Sequence, residues 1–169
     1  MFISLQELEL HPVKVSKTYE PGTLDYQDTG FRQAGPLRVN AEAKLAGNEI
    51  EVRGHISGAL ETACDRCLEQ VRIPVELDFD LPYRPMEEIA REEEVEVGED
   101  DLTVGFFSGD GVNLADVVRE QVFLSVPMKV VCRPDCRGLC PVCGVNRNLK
   151  ECGCSSQHGD SPFDFLKKS

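Results

Sequence analysis

VNAEAKLAGNEIEVRGHI, residues 39–56, alternates apolar and polar side chains on both sides of the pair Gly47-Asn48. Alternation with a period of two is typical of a β-strand that has one buried face. Gly and Asn tolerate the positive φ angles of a tight hairpin turn. The stretch therefore predicts two antiparallel strands, and it indicates that an antiparallel sheet forms the core of the protein.

A third alternating stretch follows at residues 71–81, where Val, Ile, Leu and Phe occupy every second position. Pro74 lies among the polar positions of this stretch and has no N–H to donate, which indicates an edge strand or a bulge. The sequence Cys64-Asp65-Arg66-Cys67 comes just before it. We therefore expect these two cysteines to lie in a turn between two strands.

One main helix is predicted after Asn113, which is a good N-cap residue and has Asp116 three positions later. The apolar side chains of residues 114–125 fall on one helical face, and Pro127 ends the pattern. The expected fold is therefore α+β, with a small antiparallel sheet, one main packed helix and a C-terminal cysteine-rich zinc-knuckle module.

Other segments give weaker signals. Residues 3–10 predict a short strand or helix, and Leu102, Val104 and Phe106 predict a short strand. Ser161-Pro162 begins a segment that ends in two lysines, which predicts a short terminal helix. We expect a core domain over residues 1–128 that carries the first cysteine pair, a zinc-binding module over residues 129–155, and a tail over residues 156–169.

Eight cysteines have the close spacings of metal ligands, C-x₂-C, then C-x₃-C-x₃-C-x₂-C, then C-x-C. They are Cys64, Cys67, Cys132, Cys136, Cys140, Cys143, Cys152 and Cys154. Structural zinc binds four thiolates, usually from such short-spaced pairs, so eight cysteines predict two structural Zn²⁺ sites. A disulfide framework is the alternative, but pairs this close form disulfides only with strain. The first residues also lack the pattern of a signal peptide, and we expect the reducing cytoplasm.

The cysteines can divide between two sites in two ways. In the first, the pair Cys64 and Cys67 joins Cys132 and Cys136, and the other four cysteines form the second site. In the second, the four cysteines of residues 132–143 form a local site. The first is preferred because Gly144 can adopt a left-handed conformation after Cys140 and Cys143, as zinc knuckles require. His158 could replace one sulfur, although a lone histidine in a polar tail is more often solvated.

Charge is distributed very unevenly along this acidic chain, whose formal net charge is −12. Two four-cysteine zinc sites add eight thiolates and two dications, which lowers the net charge to about −16. Residues 87–101 hold nine acids and one base, whereas residues 129–150 hold five bases and one acid. If the protein contacts RNA, this basic segment is the candidate surface, and its cations are Lys129, Arg133, Arg137, Arg147 and Lys150. The acidic surface would suit basic proteins.

The motifs of common enzymes are missing from the sequence, which has no G-x-x-x-x-G-K, G-x-S-x-G or H-E-x-x-H. Catalytic zinc keeps an open position for water, whereas eight thiolates suffice to close two sites. A redox role for Cys64 and Cys67 is the alternative, but thioredoxin-like pairs begin a helix rather than fill a hairpin turn. We therefore predict a noncatalytic protein. No run of 18 or more apolar residues predicts a membrane span.

Several motifs together resemble the YceD family, the bacterial large ribosomal RNA subunit accumulation proteins with relatives in plastids. They are CDRCL at residues 64–68, the segment at residues 114–129, CRPDCRGLCPVCG at residues 132–144 and CGC at residues 152–154. The resemblance implies a role in accumulation or processing of the large-subunit (23S) rRNA. The implied partner is a precursor rRNA or a large-subunit assembly intermediate, with basic ribosomal proteins as further candidates. An adaptor or chaperone for a basic ribosomal protein, without RNA contact, is the alternative.

Overall fold

A computed structural model describes residues 1–26, 30–86 and 104–154. In chain order the elements are β1 (Phe2–Ser4), α1 (Leu5–Leu10), β2 (Val13–Tyr19), β3 (Phe31–Gln33), β4 (Leu37–Ala46), β5 (Glu49–Ala63), β6 (Gln70–Pro85), β7 (Gly105–Phe107), β8 (Gly111–Asn113) and α2 (Leu114–Ser125). They belong to two compact units. The first comprises Met1–Thr62 and Arg72–Met128, and the second comprises Ala63–Val71 and the described residues from Lys129 onward.

A six-stranded sheet organises the first unit, in the order β2-β4-β5-β6-β7, with β3 also paired to β5. The pairs β2/β4, β3/β5 and β4/β5 are antiparallel, and of these three the sequence predicted β4/β5. The short pair β6/β7 is parallel, which the sequence pattern did not predict. The α+β class is therefore confirmed, but the sheet is mixed at one edge.

The predicted hairpin is formed by β4 and β5, which pair from Arg38 opposite Ser57 to Ala46 opposite Glu49. Gly47 has a φ of +67° in the connecting turn, as the Gly-Asn pair predicted. The alternating apolar side chains are buried, and these include Val39, Ala43, Ile50, Val52 and Ile56. Their burial removes apolar surface from water and is the main stabilising term for this sheet.

The predicted helix is α2, and its N-cap is Asn113. The Asn113 Oδ1 atom accepts a hydrogen bond from the backbone N–H of Ala115 at 3.2 Å, and its amide donates to Asp116 at 2.9 Å. The apolar face of the helix, which includes Leu114, Val118 and Val122, belongs to the same core cluster as the strand residues. The helix ends at Ser125, two residues before Pro127, as expected.

The weakly patterned N-terminal segment forms more regular structure than expected. It contains β1, the short helix α1 and β2, and β2 pairs with β4 along its whole length. Strand β1 pairs with β8, which is distant in sequence. Gly111 in β8 allows this pairing, because a β-carbon there would collide with the Ile3 carbonyl. Non-local pairing of this kind leaves no local signal in the sequence.

Several predictions fall partly or wholly on residues that the structure does not describe. The acidic stretch at residues 87–101, the terminal helix at residues 161–168, His158 and Leu102 all lie outside the described residues. The predicted division into residues 1–128, 129–155 and 156–169 stays a prediction. None of the helices in residues 1–26, 30–86 and 104–154 has the length and hydrophobicity needed to cross a bilayer.

Candidate metal centres

The eight cysteines form two groups of four within the second unit, and the sulfur atoms of each group lie within 4.8 Å of one another. One group is Cys64, Cys67, Cys132 and Cys136, and the other is Cys140, Cys143, Cys152 and Cys154. This grouping is that of the preferred partition. Each group combines one C-x₂-C turn with a second short pair of cysteines.

The sulfur positions of the first group fit a tetrahedral ion. The distance between the Sγ atoms of Cys64 and Cys136 is 3.9 Å, and that between Cys67 and Cys132 is 3.6 Å. A tetrahedron with zinc–sulfur bonds of about 2.3 Å has edges of about 3.8 Å. A disulfide requires about 2.05 Å, and all eight cysteines are free thiols. Donor chemistry and spacing therefore both suit Zn²⁺.

The turn that holds Cys64 and Cys67 has the geometry of a metal knuckle. The Leu68 N–H donates to the Cys64 carbonyl at 2.9 Å, and the Cys64 N–H donates to the Glu69 carbonyl at 2.8 Å. The Arg66 N–H points at the Cys64 sulfur, at 3.4 Å. The turn thus aims a backbone N–H at the sulfur that would carry negative charge.

A second turn repeats this backbone at Cys140 and Cys143. The Gly144 N–H donates to the Cys140 carbonyl at 2.8 Å, and the Cys140 N–H donates to the Val145 carbonyl at 2.9 Å. Gly144 has a φ of +72°, so the predicted left-handed conformation is confirmed. The two groups are therefore built on turns of the same type.

Two side chains of the first turn contact the segment that carries Cys132 and Cys136, and sequence reasoning gave neither of them a role. Asp65 accepts a hydrogen bond from the Val130 N–H at 2.6 Å, and its own N–H donates to the Val130 carbonyl at 2.8 Å. The Arg66 guanidinium donates to the Cys136 carbonyl at 2.9 Å. Both residues lie between the cysteines of the CDRC motif, and that position was the available signal. They align the two halves of the first group.

Asn148, which lies further along the chain, also aligns the first group, and sequence reasoning did not predict its role. Its Nδ2 group donates to the Cys136 sulfur at 3.3 Å, and its Oδ1 atom accepts from the Arg137 N–H at 2.8 Å and from the Arg133 guanidinium at 3.0 Å. The Asn148 amide is the main cause that lowers the pKa of the Cys136 thiol. Hydrogen bonds to a ligand atom fix its orientation and favour its charged form.

Backbone donors make one thiol of each turn acidic. Burial acts to raise the pKa of Cys64, but the N–H groups of Arg66 and Cys132 outweigh it and lower that pKa to about 6. The N–H of Cys143 is the main cause that lowers the pKa of Cys140 to about 6. A thiolate is the form that binds a metal, so each turn presents a ligand that is ionised near neutral pH.

Two other thiols, Cys67 and Cys154, resist ionisation because neighbouring thiols compete for the same charge. The backbone of Glu69 acts to lower the pKa of Cys67, but burial and the adjacent thiols raise it to about 12. The neighbouring Cys143 thiol is the main cause that raises the pKa of Cys154 to about 12. Four thiolates this close repel one another, and a bound dication would remove that penalty.

The two groups differ in exposure. Cys64 is fully buried and Cys67 and Cys136 are each 4% exposed, and these three form an apolar cluster with Val71 and Val131 packed against them. In the second group only Cys140 is buried, whereas Cys143 and Cys154 are exposed. The first group is therefore an interior site and the second a surface site of the same unit.

The five predicted RNA-contact cations, Lys129, Arg133, Arg137, Arg147 and Lys150, are all exposed on the second unit. Two of them have carboxylate partners, because Arg133 lies 3.5 Å from Asp135 and Arg137 lies 3.2 Å from Glu151. The side chains of the other three have no ion pair within the described part of the chain. Those three cations are free to meet an external anion.

Curated proteins of similar sequence occur in bacteria and plants. An uncharacterized protein of Mycobacterium tuberculosis H37Rv is 28% identical over 141 residues, which cover 81% of this chain and 62% of that protein. The chloroplastic "Large ribosomal RNA subunit accumulation protein YCED homolog 1" of Zea mays is 26% identical over 175 residues, which cover 87% of this chain and 58% of that protein. The chain thus spans about three fifths of the length of these two relatives.

The uncharacterized protein YlbN of Bacillus subtilis is 21% identical over 131 residues, which cover 78% of this chain and 72% of that protein. No solved structure matches the chain. The family model described as "Large ribosomal RNA subunit accumulation protein YceD" matches residues 52–168, a range that contains all eight cysteines. The chain therefore belongs to the YceD family, as its motifs indicated.

Proposed function

We propose that this protein is a noncatalytic factor in assembly of the large ribosomal subunit, and that it promotes accumulation or processing of 23S rRNA. Membership of the YceD family is the observation that carries this proposal. The plant relatives bear the name of large ribosomal RNA subunit accumulation proteins, which supports the same role here. This protein would act in the cytoplasm, where its thiols stay reduced.

Two structural Zn²⁺ ions would organise the second unit, with Cys64, Cys67, Cys132 and Cys136 as ligands of one ion and Cys140, Cys143, Cys152 and Cys154 as ligands of the other. The sulfur spacing of the first group and the repeated knuckle turns support this assignment. Four sulfur ligands leave zinc no position for a reacting water, so the ions would hold the fold and perform no chemistry. Thiolates bound to zinc are also unavailable for redox exchange, which disfavours the redox alternative.

Direct contact with RNA phosphates would be made by the second unit. Among its candidate cations, Lys129, Arg147 and Lys150 can bind phosphate without first leaving a carboxylate. Arg133 and Arg137 would have to exchange their acidic partners for phosphate, and that exchange reduces the gain from each contact. We therefore expect the unpaired cations to supply most of the salt-dependent affinity.

The charge count favours a second candidate function, an adaptor or chaperone for a basic ribosomal protein that does not touch RNA. The chain has a net charge of −12, and a zinc ion with four thiolates adds two further negative charges at each site. Such a molecule attracts basic proteins and has no global attraction to a nucleic-acid backbone. Photo-crosslinking in cells from position 147 separates the two candidates, since RNA adducts favour the first and protein-only adducts favour the second.

Depletion of the protein tests the role in ribosome assembly. Sucrose-gradient fractionation should then show less large-subunit rRNA relative to small-subunit rRNA, and the wild-type gene should restore the ratio. A variant with both Cys64→Ser and Cys67→Ser should fail to restore it. If depletion leaves the ratio of the two rRNAs unchanged, the proposed role is wrong.

A further inference from the structure

A groove of about 320 Å³ lies in the first unit, and residues of β6, β7, β8 and α2 line it. Its walls include Phe2, Tyr83, Phe106, Asp116 and Glu120. Neither metal centre contributes to the groove, and the proposed RNA contacts lie on the other unit. The groove combines aromatic side chains with carboxylates, and this composition suggests a specific class of ligand.

Two of the aromatic side chains that line the groove are exposed. Phe2 is 54% exposed and Phe106 is 43% exposed, whereas Tyr83 is only 8% exposed and lies deeper. Gly105 allows the Tyr83 ring to lie against β7, because a β-carbon at position 105 would approach the ring to 2.5 Å. Exposed aromatic rings beside a fixed, buried one are typical of a binding surface.

Carboxylates border these rings on α2. Asp116 accepts from Asn113 at 2.9 Å and lies 3.7 Å from the Arg119 guanidinium, and the Met1 amino group lies 3.4 Å from Asn113 Oδ1. The side chain of Glu120 forms no ion pair or hydrogen bond within residues 1–26, 30–86 and 104–154. The groove therefore has at least one carboxylate that is available to a cation from outside.

The sequence that connects two strands of the groove is strongly acidic. Strand β6 ends at Pro85 and β7 begins at Gly105, and the connecting sequence contains nine acids and one base in residues 87–101. Both ends of this acidic sequence are attached to strands that line the groove. A sequence of this composition favours a basic partner for the first unit and disfavours nucleic-acid phosphates.

We propose that this groove binds an arginine or lysine side chain from an extended, basic segment of a partner protein. The cation would lie against the rings of Phe2 and Phe106, where cation–π attraction is available. Its charged head would form an ion pair with Glu120, and with Asp116 in exchange for Arg119. The identification of that partner as a ribosomal protein rests on the proposed function, whereas the groove's selectivity for basic peptides does not.

Binding of a defined peptide to the full-length protein tests this proposal. The probe is a short fluorescent peptide in which arginines alternate with glycine and serine, and the ligand control replaces each arginine by glutamine. The groove variants are Asp116→Asn with Glu120→Gln, and separately Phe106→Ser. The matched controls are Glu76→Gln with Asp78→Asn, which remove equal charge from the sheet, and Leu124→Ser, which removes another exposed apolar residue of the first unit.

We expect each groove variant to weaken peptide binding about tenfold, and each control variant to change it less than about twofold. Binding should also fall as salt is added, and the glutamine peptide should not bind measurably. If the charge-removing groove and control variants weaken binding equally, the attraction is a general effect of net charge and the proposed site is wrong. Unchanged binding to the groove variants would also overturn it. None of these results depends on rRNA levels, so failure of this site and failure of the proposed function are distinguishable.

Discussion

Leu68 and Gly144 occupy the same backbone position in the two cysteine turns, with φ angles of +62° and +72°. Each donates its N–H to the carbonyl of the first cysteine of its turn, at 2.9 Å for Leu68 and 2.8 Å for Gly144. Glycine adopts this conformation without cost, whereas a leucine is strained in it. Leu68 is also 62% exposed, so burial of its side chain does little to offset the strain.

Substitutions at these two positions should therefore affect the stability of the two sites differently. Gly144→Leu should destabilise the second site by about 1 kcal/mol, which is a roughly fivefold loss of zinc affinity. Leu68→Gly should leave the first site at least as stable, because relief of strain offsets the greater freedom of the unfolded chain. Titration with a chelator, followed by native mass spectrometry, reports the loss of each ion. If Gly144→Leu leaves the zinc affinity of the second site unchanged, the assignment of the second turn as a knuckle is wrong.

Removal of metal should unfold the second unit and spare the first. The apolar cluster of the second unit consists of three buried cysteines with Val71, Val131 and Cys132 around them. The first unit has its own core, to which the sheet and the helices α1 and α2 contribute. Units held by metal ligands lose their structure when the metal is removed.

Hydrogen exchange before and after chelation measures this difference. Residues 129–154 should lose protection from exchange, residues of β4 and β5 should keep it, and added zinc should restore the original pattern. Uniform loss of protection throughout the chain, or protection that persists in residues 129–154, would contradict the expected role of the metal.

RNA binding should depend on the unpaired cations. Arg147→Gln with Lys150→Gln should reduce the slope of log affinity against log salt by about 1.4 for a single-stranded RNA, since each phosphate contact contributes about 0.7. The control is Lys14→Gln with Arg38→Gln, which removes two exposed cations from the first unit. If the slope does not change for the Arg147 and Lys150 variant, these residues do not contact phosphate.

His55 should make the stability of the first unit depend on pH. Its Nδ1 atom lies 2.8 Å from Asp78 and its Nε2 atom lies 2.9 Å from Glu76, and the hydrogen bond to Asp78 is the main cause that raises its pKa above 6.5. A raised pKa means that the folded protein binds the proton more tightly than the unfolded chain. The stabilisation is complete below about pH 6.5 and is lost as pH rises through the folded-state pKa.

Thermal unfolding at several pH values measures this contribution. Relative to His55→Gln, the wild-type Tm should fall as pH increases above about 6.5. His11→Gln is the control, because His11 has no carboxylate partner among the described residues. Parallel Tm curves for the wild type and His55→Gln would show that this ion pair does not contribute.

Alternating side chains and a capping residue predicted those strands and that helix whose formation depends on short stretches of sequence. Strand alternation predicted β4, β5 and most of β6, and the N-cap at Asn113 predicted the start of α2. Strand β2 was missed because Lys17 occupies a position in its apolar series, between Val15 and Tyr19. The pairs β1/β8 and β6/β7 join segments that are distant in sequence, and alternation carries no information about such partners.

The same distinction between local and non-local signals applies to the candidate metal sites. Cysteine spacing predicted the candidate ligands, and the C-x₂-C-G sequence predicted the left-handed Gly144, because such short spacings are local properties of the sequence. The contribution of Asn148 could not be predicted, since its amide reaches the Cys136 sulfur only after the chain folds back. Arg66 was missed for the same reason, although its position inside the CDRC motif was visible.

Native mass spectrometry of the metal content tests whether two separate four-cysteine zinc sites organise the second unit. The wild-type protein should carry two zinc ions. Cys64→Ser with Cys67→Ser should leave one ion, and Cys140→Ser with Cys143→Ser should also leave one, so that each double variant is the control for the other. A wild-type protein without zinc, or a Cys64 and Cys67 variant that keeps both ions, would contradict the presence of two separate zinc sites.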